Sequence, residues 1–179
     1  MPRTQAPLSL EYILLGLLDE QPMHGYDLHK RLTSMEGIGL VWQIKQAQLY
    51  AFLEKLESDG LLDGTLVQAE NRPARKLYRP SSVGRQTFRA WLRSPVLHER
   101  EIRQEFLARL YFARHEGTDA VLELLEDQIN ICYEWMETIQ INMASLRPDQ
   151  DYERMVYEYR IYQVRATLDW LNAVRRELR

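Results

Sequence analysis

Cysteine is almost absent from the 179 residues: Cys132 stands alone. A single thiol excludes an internal disulfide framework, a CxxC redox pair and a cysteine-based zinc finger, and it fits a reducing compartment, so a cytoplasmic protein is expected. Long apolar runs are missing too. The stretch Ile13 to Leu18 is flanked by Glu11, Asp19 and Glu20, too short and too acidic for a signal peptide or a membrane span, and no membrane partner is expected. Motifs of catalysis are equally missing: there is no GxSxG, no Walker loop, no GxGxxG after a strand, no HExxH and no glycine-bearing acidic loop for calcium. His24 and His29 are five apart, off the i, i+4 spacing of a helical metal pair. The expectation is a protein that is not an enzyme, with no catalytic residue, no metal site and no cofactor.

A strong charge of one sign is also lacking, since the net charge is −3 and the pI about 5.9. That average conceals a division. Up to Pro95 the chain carries 12 Lys and Arg against 10 Asp and Glu; beyond it, 11 against 16. Residues 72 to 93 hold Arg72, Arg75, Lys76, Arg79, Arg85, Arg89 and Arg93 with no acid among them. This is a local basic patch on an acidic protein, the kind of surface that meets nucleic acid.

With 45% hydrophobic and 27% charged residues the chain can fill one large or two small cores. Hydrophobic periodicity predicts helices over about 8–20, 24–34 and from 46, the last with Leu49, Phe52, Leu53 and Leu56 on one face and an Asp59-Gly60 stop. After Gly60 the period changes to that of strands at 62–67 and 76–79, joined by Glu70-Asn71-Arg72-Pro73-Ala74, a β-hairpin with a basic tip. Ser81-Ser82 offers an N-cap for a fourth helix ending at Ser94-Pro95. Three helices follow, about 98–115, 119–146 and 149–178. The fold class expected is therefore mainly α with a small β-hairpin wing: a winged helix-turn-helix over 1–95, then a helical dimerisation bundle over 96–179 that is also the possible effector domain.

In that arrangement the third helix enters the major groove and the wing touches the DNA backbone or the minor groove. Opposite its apolar face the third helix offers Lys45, Gln46, Gln48, Tyr50 and Lys55, and the hairpin adds Arg72, Arg75, Lys76 and Tyr78. Glutamine bonds adenine bidentately, while tyrosine, lysine and arginine reach phosphates. These nine are the candidate DNA-binding residues. In the penultimate helix Leu122, Leu125, Ile129, Cys132, Met136, Ile139, Met143 and Leu146 alternate by three and four, a seam that needs a partner helix. The last helix has two apolar stripes, one through Tyr157, Ile161, Val164, Leu168, Leu171 and Leu178, another through Tyr152, Val156, Tyr159, Ala166 and Trp170. Two covered sides in a bundle of three helices imply a homodimer, with Leu122, Leu125, Ile129, Met136, Ile139, Tyr159, Leu168, Trp170 and Leu171 as candidate dimerisation residues. Phe88, Trp91 and Trp135 are candidates for the wall of an effector pocket, where Arg109 or His115 could meet a carboxylate. Cys132 on the seam reads as a small buried hydrophobe.

Ile13-Leu14-Leu15-Gly16-Leu17-Leu18, Pro22-Met23-His24-Gly25-Tyr26-Asp27-Leu28, Gln48-Leu49-Tyr50 through Glu57 with Asp59-Gly60-Leu61, and Tyr78-Arg79-Pro80-Ser81-Ser82-Val83-Gly84-Arg85 together resemble the PadR family of transcriptional regulators. Tyr159-Arg160 and Leu168-Asp169-Trp170-Leu171 resemble its longer C-terminal dimerisation domain. The resemblance implies a dimeric winged-helix repressor on a pseudo-palindromic double-stranded DNA operator, often released by a small, frequently aromatic ligand. The sequence departs from the family at Ala47-Gln48 and Ala51, so the base preference does not carry over. A second reading, from a different class, is a helical adaptor that binds proteins through its acidic bundle.

Overall fold

A computed structural model describes residues 9–68 and 74–179. In chain order these form α1 (Ser9–Glu20), β1 (Met23–His24), α2 (Gly25–Leu32), a 3-10 turn (Gly37–Leu40), α3 (Gln46–Ser58), β2 (Leu62–Val67), β3 (Arg75–Pro80), α4 (Ser82–Leu92), a second 3-10 turn (Glu99–Glu101), a π-helical turn (Ile102–Phe106), α5 (Leu107–Glu116), α6 (Thr118–Ala144) and α7 (Asp151–Glu177). The chain divides into two compact units. One comprises the residues up to Arg93 with Leu107–Phe112, the other Ser94–Phe106 with Ala113–Arg179.

The first unit is built around α1. Ile13, Leu14, Leu15, Leu17 and Leu18 point in several directions around the helix and all are buried, as a helix covered on several sides requires. α3 buries Leu49, Leu53 and Leu56 at i, i+4, i+7, and Gly60, at φ 71°, supplies the left-handed residue that ends it. β2 and β3 form an antiparallel hairpin in which Leu62 faces Pro80 and Val67 faces Arg75. The sequence pattern misses a third strand. Met23 and His24 pair with Tyr78 and Leu77 on the other edge of β3, and the His24 Nδ1–H donates to the Lys76 carbonyl at 2.9 Å. Two residues are too short to leave a period-two signature. The cap at Ser81 matches the expectation, its Oγ accepting from the Gly84 N–H at 3.0 Å.

The first stretch of the first unit ends at Arg93, beside the expected boundary at Pro95, and the unit takes in Leu107–Phe112 besides, because the first half of α5 packs with it. Phe112 meets Phe88 edge-on at 5.1 Å, and Trp91 at 6.4 Å. The Arg109 guanidinium lies 5.1 Å from the Trp91 ring centre, and Tyr111 accepts from Arg31 at 3.0 Å. A sequence break marks where a helix stops; it does not report where an aromatic far beyond it finds its partners.

In the second unit α6 and α7 form an antiparallel helical hairpin, tied at its open end by Arg179 to Glu126 at 2.9 Å. Val121, Leu124, Leu125, Ile129, Cys132 and Ile139 of α6 are buried, as are Ile161, Val164, Leu168 and Leu171 of α7. Burial pushes the Cys132 thiol up to about 11, so at neutral pH it is protonated and poorly nucleophilic.

Candidate nucleic-acid interface

The exposed face of α3 follows from its buried one. With Leu49, Leu53 and Leu56 turned inward, Gln46, Gln48 and Tyr50 are exposed, and Lys45 stands exposed at the N-cap. Lys45 supplies no side-chain cap, so the first-turn N–H groups of α3 lie open to an anion. Tyr50 has two surroundings. It is 37% exposed, yet its ring lies on the backbone of Gly25, where a Cβ would come within 2.8 Å. Gly25 is therefore needed at the start of α2 for Tyr50 to sit there.

The wing stands beside this face. Leu66 and Val67 are exposed at the outer end of β2, and Arg75 is exposed on β3. A cleft of about 530 Å³ lies between them, lined by His24, Gly25, Tyr26, Tyr50, Arg75, Lys76 and Tyr78. Three of the nine expected DNA-binding residues, Tyr78, Lys55 and Lys76, are placed differently from the rest. Arg72 lies outside the described residues. Tyr78 is a core residue, only 6% exposed, because the pleat turns it inward between β1 and β2; burial raises its phenol above the usual range. Lys55 donates to Glu11 at 2.5 Å, and Glu11 is buried, so this lysine neutralises an acid that burial would otherwise penalise. Lys76 donates to Glu57 at 2.6 Å. Both ammonium groups are held above their usual range by these carboxylates. Glu11 and Glu57 had no signal in the sequence; their partners are 44 and 19 residues away, and only packing brings them together.

In the second unit several expected dimerisation residues are used inside the chain. Leu125, Ile129, Ile139, Leu168 and Leu171 are buried where α7 folds onto α6, and Leu122 and Met136 are half-buried. The heptad seam found its partner in the same chain through the short loop at Pro148. Tyr159 is 62% exposed and Trp170 36%; with Tyr152, Met155 and Tyr162 they leave an apolar, aromatic face on α7. Trp170 also meets Phe106 edge-on at 6.1 Å.

The effector candidates separate. Phe88 and Trp91 are core residues of the first unit, both buried, with Trp91 lying parallel to Tyr12 at 5.2 Å. Trp135 lines a groove of about 920 Å³ with Arg100, Arg103, Tyr159, Arg160 and Gln163, and its indole N–H donates to the Leu97 carbonyl at 3.1 Å. Arg109 is buried against Trp91, whereas His115 is exposed. Among the described residues no group of His, Cys, Asp and Glu could hold a metal ion, and no helix is long and apolar enough to cross a membrane.

Three helices, a third helix with a polar outer face and a flanking antiparallel wing define a winged-helix domain. Residues 14–90, the winged-helix domain, match the model of the transcriptional regulator PadR-like family. Residues 102–179 match a second model, virulence activator alpha C-term. Among characterised proteins, the negative transcriptional regulator PadR of Bacillus subtilis is 27% identical over 120 residues, 67% of this chain and 65% of that one. The probable transcriptional regulator Rv1176c of Mycobacterium tuberculosis is 30% identical over 89 residues, 50% of this chain and 46% of that one. The chain thus spans less than two thirds of the length of either relative. A crystal structure of Bacillus subtilis PadR in complex with operator DNA aligns over 96% of this chain and 100% of that chain, with 21% identity and a TM-score of 0.49.

Proposed function

We propose that the chain is a homodimeric, sequence-specific repressor that binds a pseudo-palindromic operator in the cytoplasm. The observation that carries this reading is the row Lys45, Gln46, Gln48 and Tyr50, exposed on α3 beside the exposed Arg75 of the wing. Gln46 and Gln48 read base edges, while Lys45, Tyr50 and Arg75 hold phosphates. The relative named a negative regulator favours repression over activation. Because phosphate contacts displace counterions, affinity for a selected duplex falls steeply with salt. Tyr50→Phe keeps the ring on Gly25 and removes only the hydroxyl, so it weakens binding about tenfold, the scale of one hydrogen bond to a charged group. Gln48→Ala narrows the gap between selected and random duplex. Fluorescence anisotropy at two salt concentrations checks both, and salt-insensitive or absent binding sinks the reading in favour of an adaptor.

The second copy seats on the outer face of α7, where Tyr152, Met155, Tyr159 and Tyr162 are exposed in a row at three- and four-residue spacing. A patch of that kind marks a protein–protein surface. Sedimentation of the wild-type chain as a dimer, and of Tyr159→Glu/Tyr162→Glu as a folded monomer, is the expected result. The groove beside Trp135, with Arg100, Arg103 and Arg160 around it, suits an aromatic carboxylate, which would serve as the releasing ligand. Its test is loss of operator affinity on adding aromatic acids, abolished by Arg160→Ala.

A further inference from the structure

Lys76 lies in the most basic part of the sequence and beside the exposed face of α3, so its obvious role is a phosphate contact. Its geometry is different. Along β3 the side chains alternate: Arg75 and Arg79 are exposed on one face, while Tyr78 and Pro80 on the other are buried. Lys76 belongs to the second face. Its stem runs back over the body of the domain, its ammonium lies 5.7 Å from the Tyr78 ring centre, and it ends on Glu57 of α3 at 2.6 Å. The path crosses Gly64 of β2. A Cβ there would sit 2.3 Å from Lys76 Cε and 2.6 Å from Glu57 Oε1, so the absence of a side chain at that register position opens the way for the pair. One ion pair thus joins three elements: the recognition helix, the inner strand of the wing and the outer strand that it crosses.

Building on the DNA-binding reading above, we infer that Glu57 is a positioning residue: through its ion pair with Lys76 across Gly64, it fixes the angle of the wing to the recognition helix, and Lys76 is a strut and not a phosphate contact. Among the described cations of the hairpin, the one that reaches phosphate is then the exposed Arg75. The two roles differ in what they predict. A phosphate contact contributes about 0.9 to the slope of log affinity against log salt; a strut changes affinity through geometry and leaves that slope as it was. Removing Glu57 also has opposite effects in the two cases, since a lysine freed from a competing carboxylate would bind phosphate better.

The test uses the full chain and a duplex obtained from a random pool by selection with the wild-type protein. Glu57→Gln and Lys76→Gln each weaken binding about tenfold with an unchanged salt slope, the double variant is no weaker than either single one, and the swap Glu57→Lys/Lys76→Glu restores most of the affinity. Gly64→Ala displaces the flexible ends of both side chains and reproduces the loss with little change in thermal stability. Arg75→Gln flattens the slope by about one unit. Without DNA, Glu57→Gln and Lys76→Gln raise amide exchange in β2 and β3 to the same extent. A Lys76→Gln variant with a flattened slope, a Glu57→Gln variant that binds more tightly, or singles that leave affinity intact would each overturn the inference. If the wild-type chain enriches no duplex, the DNA-binding reading fails instead, and the exchange measurement still decides the strut: unequal or unchanged exchange overturns it.

Discussion

Gly16→Val is expected to destabilise the first unit by about 3 kcal/mol, at the upper end for overpacking a core. Gly16 lies in the middle of α1, where glycine costs about 1 kcal/mol relative to alanine, so its presence calls for a packing reason. The reason is the aromatic cluster. A Cβ at Gly16 would lie 2.6 Å from a ring carbon of Phe88 and 2.7 Å from two of Phe112. Both rings are buried, and they already meet each other edge-on at 5.1 Å, so neither can retreat without disturbing Trp91 and Tyr111. Gly16→Ala loses less, because the helix propensity gained offsets part of the clash. Chemical denaturation of the two variants beside the wild-type chain measures the difference. A valine variant as stable as the parent would mean that the aromatic cluster is loosely packed.

Gln128→Leu should cost the second unit about 3 kcal/mol, although it replaces a polar core residue with an apolar one of similar size. Gln128 is fully buried on α6 and holds both backbone groups of Val96: its Oε1 accepts from the Val96 N–H at 2.8 Å, and its Nε2 donates to the Val96 carbonyl at 3.2 Å. Val96 is buried too. Leucine leaves a buried donor and a buried acceptor unsatisfied, each at about 1–3 kcal/mol, and its own apolar gain offsets part of that. Gln128→Glu fares no better. A carboxylate still accepts from the N–H, but it faces the carbonyl with a second acceptor and carries a buried charge. The readouts are the melting temperature, which falls in both variants, and the exchange rate of the Val96 amide, which rises steeply in Gln128→Leu. An unchanged Val96 amide would show that water replaces the glutamine.

The two predictions mark where reading the sequence succeeds and where it stops. Helix positions other than the start of the helix expected over about 98–115, which is α-helical only from Leu107, the hairpin and the Ser81 cap were legible, because each rests on a local rule: a repeat of three and four, a change to alternation, a hydroxyl three residues before a free N–H. The outer face of α3 was legible for the same reason, since Leu49, Leu53 and Leu56 fix which residues point away. The seam of α6 was visible as a seam, but not whose it was. Periodicity says that a helix needs a partner; it does not say whether the partner is the next helix or another chain.

What the amino-acid sequence determined by itself was thus the order of elements, the basic wing and the family resemblance carried by the first ninety residues, all of them properties of neighbours along the chain. Tertiary structure alone decided which cations are held by acids, that Tyr78 is core, that Phe88 and Trp91 pack with Phe112, and that Gln128 fastens Val96. Ion pairs such as Lys55 with Glu11 and Lys76 with Glu57, like the contacts of Gly16, join residues far apart in sequence. Their energies depend on burial and on approach within a few ångströms, and neither quantity exists until the chain has folded.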